Sequence, residues 1–363
     1  MSRVTDLWGA GASYGVRAIK DGKIEAFHRG LPVVNELQRA LQLLQTGGVS
    51  SGVFVPANEA QKQGVSSEQF NMVRQKLALL AQACASFPTI DTLAKQLFVT
   101  QRPLKLSDTA EPLSYDYLKQ LLSVALLMMQ NETKRDLRYD GFIASLIKSD
   151  RSFPPMTILS WNYDVQFEMA YSGYYREERY IPSLWKELNV YNKMYPTDFD
   201  VQAPFAMIKL NGTALFKDAA EKKWEVNGKQ VDRITDCFYG SRPPKTPYQY
   251  GYEYLTGANY TNMLSYAWET DYTEELKQVI RQRVRDTREL VVIGYSFPYV
   301  NNEMDSYILQ HMPGLEKVVV QDKNFEDIKE RIEGILESTY RKVSIIPKNS
   351  LQQFYIPNMF VKS

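Results

Sequence analysis

The sequence predicts an α/β fold: a parallel β-sheet of about six strands, with helices on both faces and an inserted α-helical subdomain. Short apolar runs, typical of strands buried on both faces of a sheet, recur along the chain. Amphipathic helical stretches separate most of these runs, and Gly, Ser, Asn or Asp follows their ends. The runs occupy residues 4–8, 156–160, 206–210, 290–293 and 318–320, with a weaker one at 343–346. Such alternation of strands and helices is typical of Rossmann-like folds.

The helical stretches follow from apolar residues at three- and four-residue spacing. The first begins near Asn35 and stops before residue 47. The pattern is helical again from 66 to about 129, and it opens with a capping box because Gln69 follows Ser66 by three residues. Between the later strands, helices are predicted at 164–172, 274–289 and 325–337.

The length permits two domains, but α/β folds of this size also form one unit with insertions. We therefore expect a single unit over residues 1–363. Its Rossmann-like core is assigned to 1–48, 151–215 and 285–350. Residues 49–150 are predicted to form the helical insertion, and 216–284 to hold a small hairpin and a Tyr/Pro-rich loop at 240–262, which would line the site or form an interface.

Composition excludes several classes of protein. The 43 Lys and Arg residues nearly balance the 42 Asp and Glu residues, which argues against a dedicated nucleic-acid binder. Cys84 and Cys237 are too few for a four-thiolate zinc module or a disulfide framework. The beginning of the chain has no signal-peptide pattern, and the longest apolar run, 124–129, is far too short to span a bilayer. We therefore expect a cytoplasmic protein without zinc.

A glycine-rich loop, Gly9-x-Gly11-x-x-x-Gly15, directly follows the first predicted strand. Glycines allow backbone N–H groups to approach a diphosphate closely, and the N-terminus of a following helix would add a positive dipole end. The spacing differs from the usual G-x-G-x-x-G pattern. A glycine-rich turn without any ligand therefore remains an alternative for this segment.

Polar residues follow four further predicted strands. Asn162 and Asp164 come after the strand at 156–160, although either one would also serve as a helix cap. Later strand ends carry Asn211, then Gly294 and Ser296, and finally Gln321 and Asp322. Turn chemistry explains any one of these sets. Their repetition at the carboxyl ends of strands predicts one shared ligand site, because ligands of open α/β sheets bind at that edge.

Taken in order, five motifs resemble the sirtuin-like NAD-binding proteins, most closely the bacterial branch that includes the NAD-hydrolysing effectors of phage-defence systems. The motifs are GAGAS at 9–13, NYD at 162–164, KLNG at 209–212, IGYS at 293–296 and VVVQD at 318–322. The likeness spans residues 4–325, except for the helical and Tyr-rich insertions. Gly30-Leu31-Pro32 followed by Asn35-Glu36-Leu37 also resembles this branch, whereas sirtuin deacetylases carry Phe-Arg soon after the proline.

The resemblance implies a role for each matched position. Five residues would cradle the NAD diphosphate: Gly9, Ala10, Gly11, Ala12 and Ser13. Two would lie near the nicotinamide and its ribose: Asn162 and Asp164. Four would hold the adenosine side: Gly294, Ser296, Gln321 and Asp322. Glu168 matches a helix position and is expected to be structural.

Two departures from the family pattern bear on the chemistry. Asn211 stands where the family has its catalytic histidine, and asparagine cannot accept a proton near neutral pH. Loss of a general base typically lowers a rate by about 10²- to 10⁴-fold. The family's four-cysteine zinc module is also absent, so protein deacylation is the least expected activity. His28 is a weak candidate for a substitute base and His311 fits a helix end, whereas a fixed Asp164 carboxylate would stabilise an oxocarbenium-like state without moving a proton.

The favoured hypothesis is hydrolysis of NAD to ADP-ribose and nicotinamide, in phage defence as the resemblance implies. Asn162 would orient water, Asp164 would stabilise the ribosyl cation and Asn211 would hold the ribose hydroxyls. The alternative is a binding module for NAD or ADP-ribose, acting as a sensor or assembly partner. A dehydrogenase is a distant third, because no hydride-site motif is evident. A homo-oligomer or a defence-system partner protein is expected by analogy, and no nucleic acid, membrane or metal.

Overall fold

The computed structural model describes residues 3–46, 65–108, 110–175, 181–195, 198–218, 247–269, 273–337 and 342–360, and the backbone of 224–226, 229–231 and 233–234. Strands are Val4–Trp8 (β1), Val16–Lys20 (β2), Lys23–Arg29 (β3), Met156–Ser160 (β4), Val190–Asn192 (β5), Phe205–Lys209 (β6), Gly212–Asp218 (β7), Trp224–Val226 (β8), Lys229–Val231 (β9), Arg233–Ile234 (β10), Tyr260–Leu264 (β11), Glu289–Ile293 (β12), Lys317–Gln321 (β13) and Ser344–Pro347 (β14). Helices are Leu37–Gln45 (α1), Ser67–Ser86 (α2), Ile90–Thr100 (α3), Tyr115–Glu132 (α4), Leu137–Leu146 (α5), Gln166–Ser172 (α6), Ile181–Glu187 (α7), Pro247–Thr256 (α8), Thr273–Val284 (α9), Asn302–Gln310 (α10) and Phe325–Glu337 (α11).

The central sheet confirms the predicted α/β fold. It has seven parallel strands in the order β14-β13-β12-β1-β4-β6-β5. The sequence predicted six of them. The seventh, β5, has only three residues, so it is too short to produce a recognisable apolar run.

The order of the strands places a topological switch point beside β1. From β1 the chain builds the sheet outward through β4 and β6 on one side, and later through β12, β13 and β14 on the other. The direction reverses between β1 and β12, whose ends are paired through Trp8 and Ile293. Open α/β sheets bind ligands in the crevice outside the carboxyl ends of the strands at such a point.

Helices cover both faces of the sheet. On one face α9, α10 and α11 bury Ile280, Leu309 and Ile332 against the strands. On the other face lie α5 and α6 and the C-terminal segment, which we define as residues 348–357. Phe354 of this segment is buried and its ring lies 5.7 Å from that of Trp8. The parallel sheet is therefore shielded on both sides, which explains its nearly continuous apolar strands.

The segment after β1 differs from the expectation of a helix. A four-residue 3₁₀ turn at 10–13 leads directly into the β2–β3 hairpin. Gly15 has a φ of +62°, and a Cβ there would lie 2.2 Å from the carbonyl oxygen of Arg29. The backbone thus turns sharply at this glycine, and the glycine-rich loop continues into a 3₁₀ turn and a strand instead of a helix.

The predicted helical insertion is observed as α2 to α5. Its capping box is formed as expected: the Gln69 N–H donates to Ser66 Oγ at 3.1 Å, and the Ser66 N–H donates to Gln69 Oε1 at 2.9 Å. In the described part of the chain, no single helix is both long and apolar enough to cross a bilayer. Only α2 and α3 taken together meet that criterion, and these two helices are bent by 94° relative to each other.

Residues 211–264 differ most from the sequence-based expectation. β7 begins one residue after Asn211 and pairs antiparallel with β10 and β11 in a second, three-stranded sheet. The Tyr-rich stretch predicted as a loop contains α8, in which the parallel rings of Tyr250 and Tyr254 lie 6.0 Å apart. Tyrosines four residues apart meet on one helix face, so the ring contacts stabilise a helix that a composition argument missed. Residues 240–246 and the turn at 227–228 lie outside the described residues.

Candidate functional site

The glycines of the loops after β1 and β12 allow the two backbones to touch. Gly9 N–H donates to the Ile293 carbonyl and Gly11 N–H to the Gly294 carbonyl, each at 3.0 Å. A Cβ on Gly11 would lie 2.6 Å from Gly294 Cα, and Gly294 itself has a φ of +58°. Ala12 N–H donates to the Gly9 carbonyl. Three N–H groups predicted to meet a diphosphate are therefore already bonded within the protein.

Ser13 joins the loop after β1 to the loop after β4. Its hydroxyl donates to Asp164 Oδ2 at 2.7 Å and accepts from Asn162 Nδ2 at 3.3 Å. The hydroxyl of Tyr139, from α5, lies 2.8 Å from the same oxygen and completes its hydrogen bonds. All four side chains are buried. The structure therefore brings together three of the predicted site residues and adds a tyrosine from the helical insertion.

Asp164 is held from several directions. Its Oδ1 accepts the N–H of Gln166, the first residue of α6, at 3.0 Å, while the N-cap position itself is occupied by Val165. Burial raises the pKa of Asp164, while the nearby Lys209 charge and the Ser13 hydrogen bond oppose that rise. Among the described residues, the carboxamide oxygen of its neighbour Asn162 has no protein donor. That oxygen remains available to a water or a ligand.

A buried ion pair holds the backbone of the 162–164 segment in place. Lys209 Nζ donates to the Asp164 carbonyl at 2.8 Å and pairs with Glu168 Oε1 at the same distance. Trp185 Nε1 donates to the same Glu168 oxygen at 3.0 Å. Lys209 and Glu168 are almost inaccessible to solvent. Glu168 is thus part of a buried ion pair, as expected for a structural residue, and Lys209 holds the backbone carbonyl of Asp164 in place.

Asn211 bridges two loops with its carboxamide. Its Nδ2 donates to the Trp161 carbonyl at 3.4 Å, and its Oδ1 accepts the Ala267 N–H at 3.0 Å. Asn211 is therefore bonded to the residue that precedes Asn162, but both ends of its amide are already engaged by backbone groups. Gly212, with a φ of +66°, then reverses the chain into β7.

The residues predicted to bind the adenosine side of NAD differ in burial and in their hydrogen-bond partners. Ser296 is exposed, and its carbonyl accepts from Arg331 Nη1 at 2.6 Å. Asp322 is half-buried and its Oδ1 accepts the Asn324 N–H at 2.9 Å. Gln321 is buried and bonds the C-terminal segment: Nε2 donates to the carbonyls of Gln353, at 2.6 Å, and Ser350, while Oε1 accepts the Tyr355 N–H at 2.9 Å.

Sequence reasoning did not find Arg138, a cation that bonds the glycine-rich loop. Its Nη2 donates to the carbonyls of Gly11 at 2.9 Å and Ala12 at 3.2 Å, and it pairs with Asp136. The guanidinium also lies over the ring of Phe354, at 5.0 Å from its centre. An Asp-x-Arg pair at the start of a helix is an ordinary capping pattern, so the sequence held no specific signal for this role.

Among the described residues, neither histidine side chain has a hydrogen bond to a predicted site residue. His28 is exposed on β3, and His311 follows α10, where its Nδ1 lies 2.8 Å from the Tyr307 carbonyl. Across the described ranges, no three His, Cys, Asp or Glu side chains are grouped so as to hold a metal ion. The sequence matches no protein-family model, and no curated protein shows significant similarity to it.

Proposed function

We propose that this chain binds NAD at the carboxyl edge of its sheet and hydrolyses the bond between nicotinamide and ribose. The observation that carries the proposal is the hydrogen-bonded group of Ser13, Asn162 and Asp164, which lies beside the contact between Gly11 and Gly294 at the switch point. Rossmann-like sheets bind dinucleotides at such points. The order of the motifs, which resembles that of sirtuin-like proteins, favours NAD as the dinucleotide.

The chemistry fits the groups present. Cleavage of the nicotinamide–ribose bond develops positive charge on the ribose, and a carboxylate held in place stabilises that charge. We assign this role to Asp164: burial raises its pKa, and the Lys209 charge and the Ser13 hydrogen bond counter that rise and favour the ionised form. The unengaged oxygen of Asn162 orients the attacking water by accepting one of its hydrogens. Nicotinamide leaves as a neutral molecule, so its departure requires no proton donor.

A second candidate function is retention of NAD or ADP-ribose without turnover, in a sensor or assembly partner. The observation that favours it is the state of Asn211, which cannot accept a proton and whose amide is bonded to the backbone of Trp161 and Ala267. The two functions share one ligand site and differ only in whether nicotinamide is released.

Nicotinamide release and NAD binding, measured on the same protein, separate the two functions. We expect the wild type to release nicotinamide from NAD and Asn162→Ala to lose most of this activity. Asn131→Ala serves as the matched control, because Asn131 lies near the end of α4 and bonds only the Leu127 carbonyl. If calorimetry detects NAD binding by the wild type and no nicotinamide is released, the binding module replaces the hydrolase. If neither is detected, the NAD proposal fails.

A role in phage defence is the cellular extension of the same proposal, and it rests on the resemblance alone. Bacteria that express the wild-type chain should lose NAD after phage infection, whereas cells that express Asn162→Ala should keep it. Unchanged NAD levels in infected wild-type cells, with the purified protein active, would contradict the defence role and leave the enzymatic one intact.

A further inference from the structure

The N-terminal end of α5 holds both loops that carry the proposed site residues. The N-cap residue Asp136 accepts the Gly15 N–H through Oδ2 at 2.9 Å, and its own N–H donates to Gln166 Oε1 at 2.8 Å. Two residues further on, Arg138 Nη2 donates to carbonyls of the loop after β1. The next residue, Tyr139, contacts the same loop through its hydroxyl. One end of a helix in the insertion therefore fixes the loop after β1 relative to the segment after β4.

The direction of each hydrogen bond at Ser13 follows from the hydrogens available. Ser13 has one hydroxyl hydrogen, which it donates to Asp164 Oδ2 at 2.7 Å. Asn162 Nδ2 can act only as a donor, so Ser13 Oγ accepts from it at 3.3 Å. The Tyr139 hydroxyl, 2.8 Å from Ser13 Oγ, must then donate its own hydrogen to the remaining lone pair. Two donors therefore bind Ser13 and direct its hydrogen to the carboxylate.

Protonation of Asp164 would disturb this arrangement. A proton on Oδ2 would be donated to Ser13 Oγ, whose hydrogen would then turn to the Tyr139 oxygen. The Tyr139 hydrogen would be left without an acceptor, since Ser13 is the partner of this buried hydroxyl among the described residues. A proton on Oδ1 would weaken that oxygen as the acceptor of the Gln166 N–H. The hydrogen-bond geometry therefore favours the ionised form of Asp164.

Charges from three elements surround Asp164 and Tyr139. They belong to Asp136 and Arg138 at the start of α5, Glu168 of α6 and Lys209 of β6. Burial raises the pKa of Asp164, the Lys209 charge opposes this rise, and the Glu168 charge adds to it. Burial also raises the pKa of Tyr139 well above its usual value, and the charges of Asp164 and Asp136 add to this rise. The phenol therefore keeps the hydrogen that it donates to Ser13 near neutral pH.

We propose that Tyr139 is a positioning residue for the proposed hydrolysis, on which this inference rests. Its hydroxyl fixes the Ser13 hydroxyl as a donor to Asp164, and thereby holds this carboxylate ionised and in one orientation. Tyr139 acts through Ser13 and transfers no proton itself. The helical insertion thus has a part in catalysis, because α5 helps to maintain the charge that stabilises the ribosyl cation.

The first test deletes the phenolic hydroxyl and keeps the ring. Tyr139→Phe should move the acid limb of the kcat profile for nicotinamide release upward by up to about one pH unit, since one neutral hydrogen bond is lost. The rate should fall by up to about tenfold below the limb and return to the wild-type rate at high pH. The Kd for NAD should stay unchanged. Tyr248→Phe is the matched control, because Tyr248 is buried in the same hydrophobic core and its hydroxyl donates to the Leu44 carbonyl.

The second test shows whether Tyr139 acts through Ser13. In the Ser13→Ala background, Tyr139→Phe should cause no further shift of the acid limb, because the hydroxyl that links it to Asp164 is already missing. A packing role for the tyrosine would instead lower the rate by the same factor in both backgrounds and at every pH.

The third measurement does not need turnover. Carbon NMR of protein labelled in its aspartate carboxyl groups, without NAD, should show Asp164 titrating at higher pH in Tyr139→Phe than in the wild type. The signal that is missing from Asp164→Asn identifies this carboxyl. The NMR titration also decides the matter if Ser13→Ala does not fold.

The outcomes separate this inference from the proposed function. If the wild type is active and Tyr139→Phe leaves both the acid limb and the Asp164 titration unchanged, the positioning role is overturned and the hydrolase proposal stands. An undiminished shift in the Ser13→Ala background would overturn this role as well. If the wild type releases no nicotinamide, the proposed hydrolysis fails, and a higher Asp164 titration in Tyr139→Phe still supports the control of this carboxylate by Tyr139.

Discussion

Ser13→Ala is the sharpest perturbation of the candidate site, because a single hydroxyl holds three buried side chains. The substitution removes a bond to the Asp164 carboxylate and leaves Tyr139 and Asn162 without their shared acceptor. A hydrogen bond to a charged group contributes about 1.5–3 kcal/mol, and a buried polar group left unpaired costs about 1–3 kcal/mol. With partial relaxation of the neighbours, we expect the free energy of unfolding to fall by about 2–4 kcal/mol.

The loss should also depend on pH. The Ser13 bond lowers the pKa of Asp164, so its removal raises that pKa further above the value in the unfolded chain. A carboxyl whose folded pKa is raised stabilises the fold below its unfolded pKa, about 3.9, and loses that contribution as pH rises toward the folded value. The destabilisation of Ser13→Ala should therefore be larger at about pH 8 than at about pH 4.

Urea denaturation at both pH values measures these effects. Ser145→Ala is the control, because its exposed hydroxyl bonds only the Gly141 carbonyl of its own helix and should cost less than about 0.5 kcal/mol. A loss for Ser13→Ala no larger than that of the control, with NAD binding intact, would refute the idea that this hydroxyl organises the site.

Three further perturbations test the structure around the site. Burial raises the pKa of Asp6, whose carboxylate oxygens lack a hydrogen-bond partner among the described residues, so this carboxyl contributes a fall in stability as pH rises above about 4. Asp6→Asn should therefore reduce this fall in urea titrations, and an unchanged slope would contradict the reasoning. Arg283→Lys should lower the free energy of unfolding by about 2–4 kcal/mol. The buried guanidinium donates to the Val201 and Ala203 carbonyls and to Thr157, and an ammonium cannot match this geometry. An unchanged denaturation midpoint would contradict this prediction. Gly294→Ala should unfold at a lower temperature than Gly22→Ala, since both have positive φ but only the former would place a Cβ 2.4 Å from Gly11; equal melting temperatures would contradict the close contact of the two loops.

The strands were predictable from sequence because burial on both faces makes them almost purely apolar. The runs at β1, β4, β6, β12 and β13 needed no partner information to be recognised. The short β5 and the turn into β7 depend on tertiary contacts, namely pairing with β6 and the left-handed backbone of Gly212. Such features leave little trace in a local pattern, because the energy that selects them comes from residues distant in the chain.

The candidate site likewise contains residues that the sequence predicted and residues that it did not. The convergence of Ser13, Asn162 and Asp164 followed from their positions at the ends of parallel strands, since all those ends lie at one edge. Arg138 was not predictable, because it looks like an ordinary base in the first turn of a helix. Only the packing of the helical insertion against the sheet edge brings its guanidinium to the glycine-rich loop.

The glycine-rich loop has a structural explanation that is independent of any ligand. Gly9 and Gly11 are required where the loops after β1 and β12 meet, since a Cβ at either position would collide with the backbone at Gly294. A glycine-rich motif of this kind is therefore evidence mainly for a contact between two loops at a switch point, and only secondarily for a dinucleotide site. The proposed NAD site depends instead on the polar side chains beyond the loop, because the Ser13, Asn162 and Asp164 group has a buried carboxylate and an unengaged amide oxygen where close packing alone requires neither.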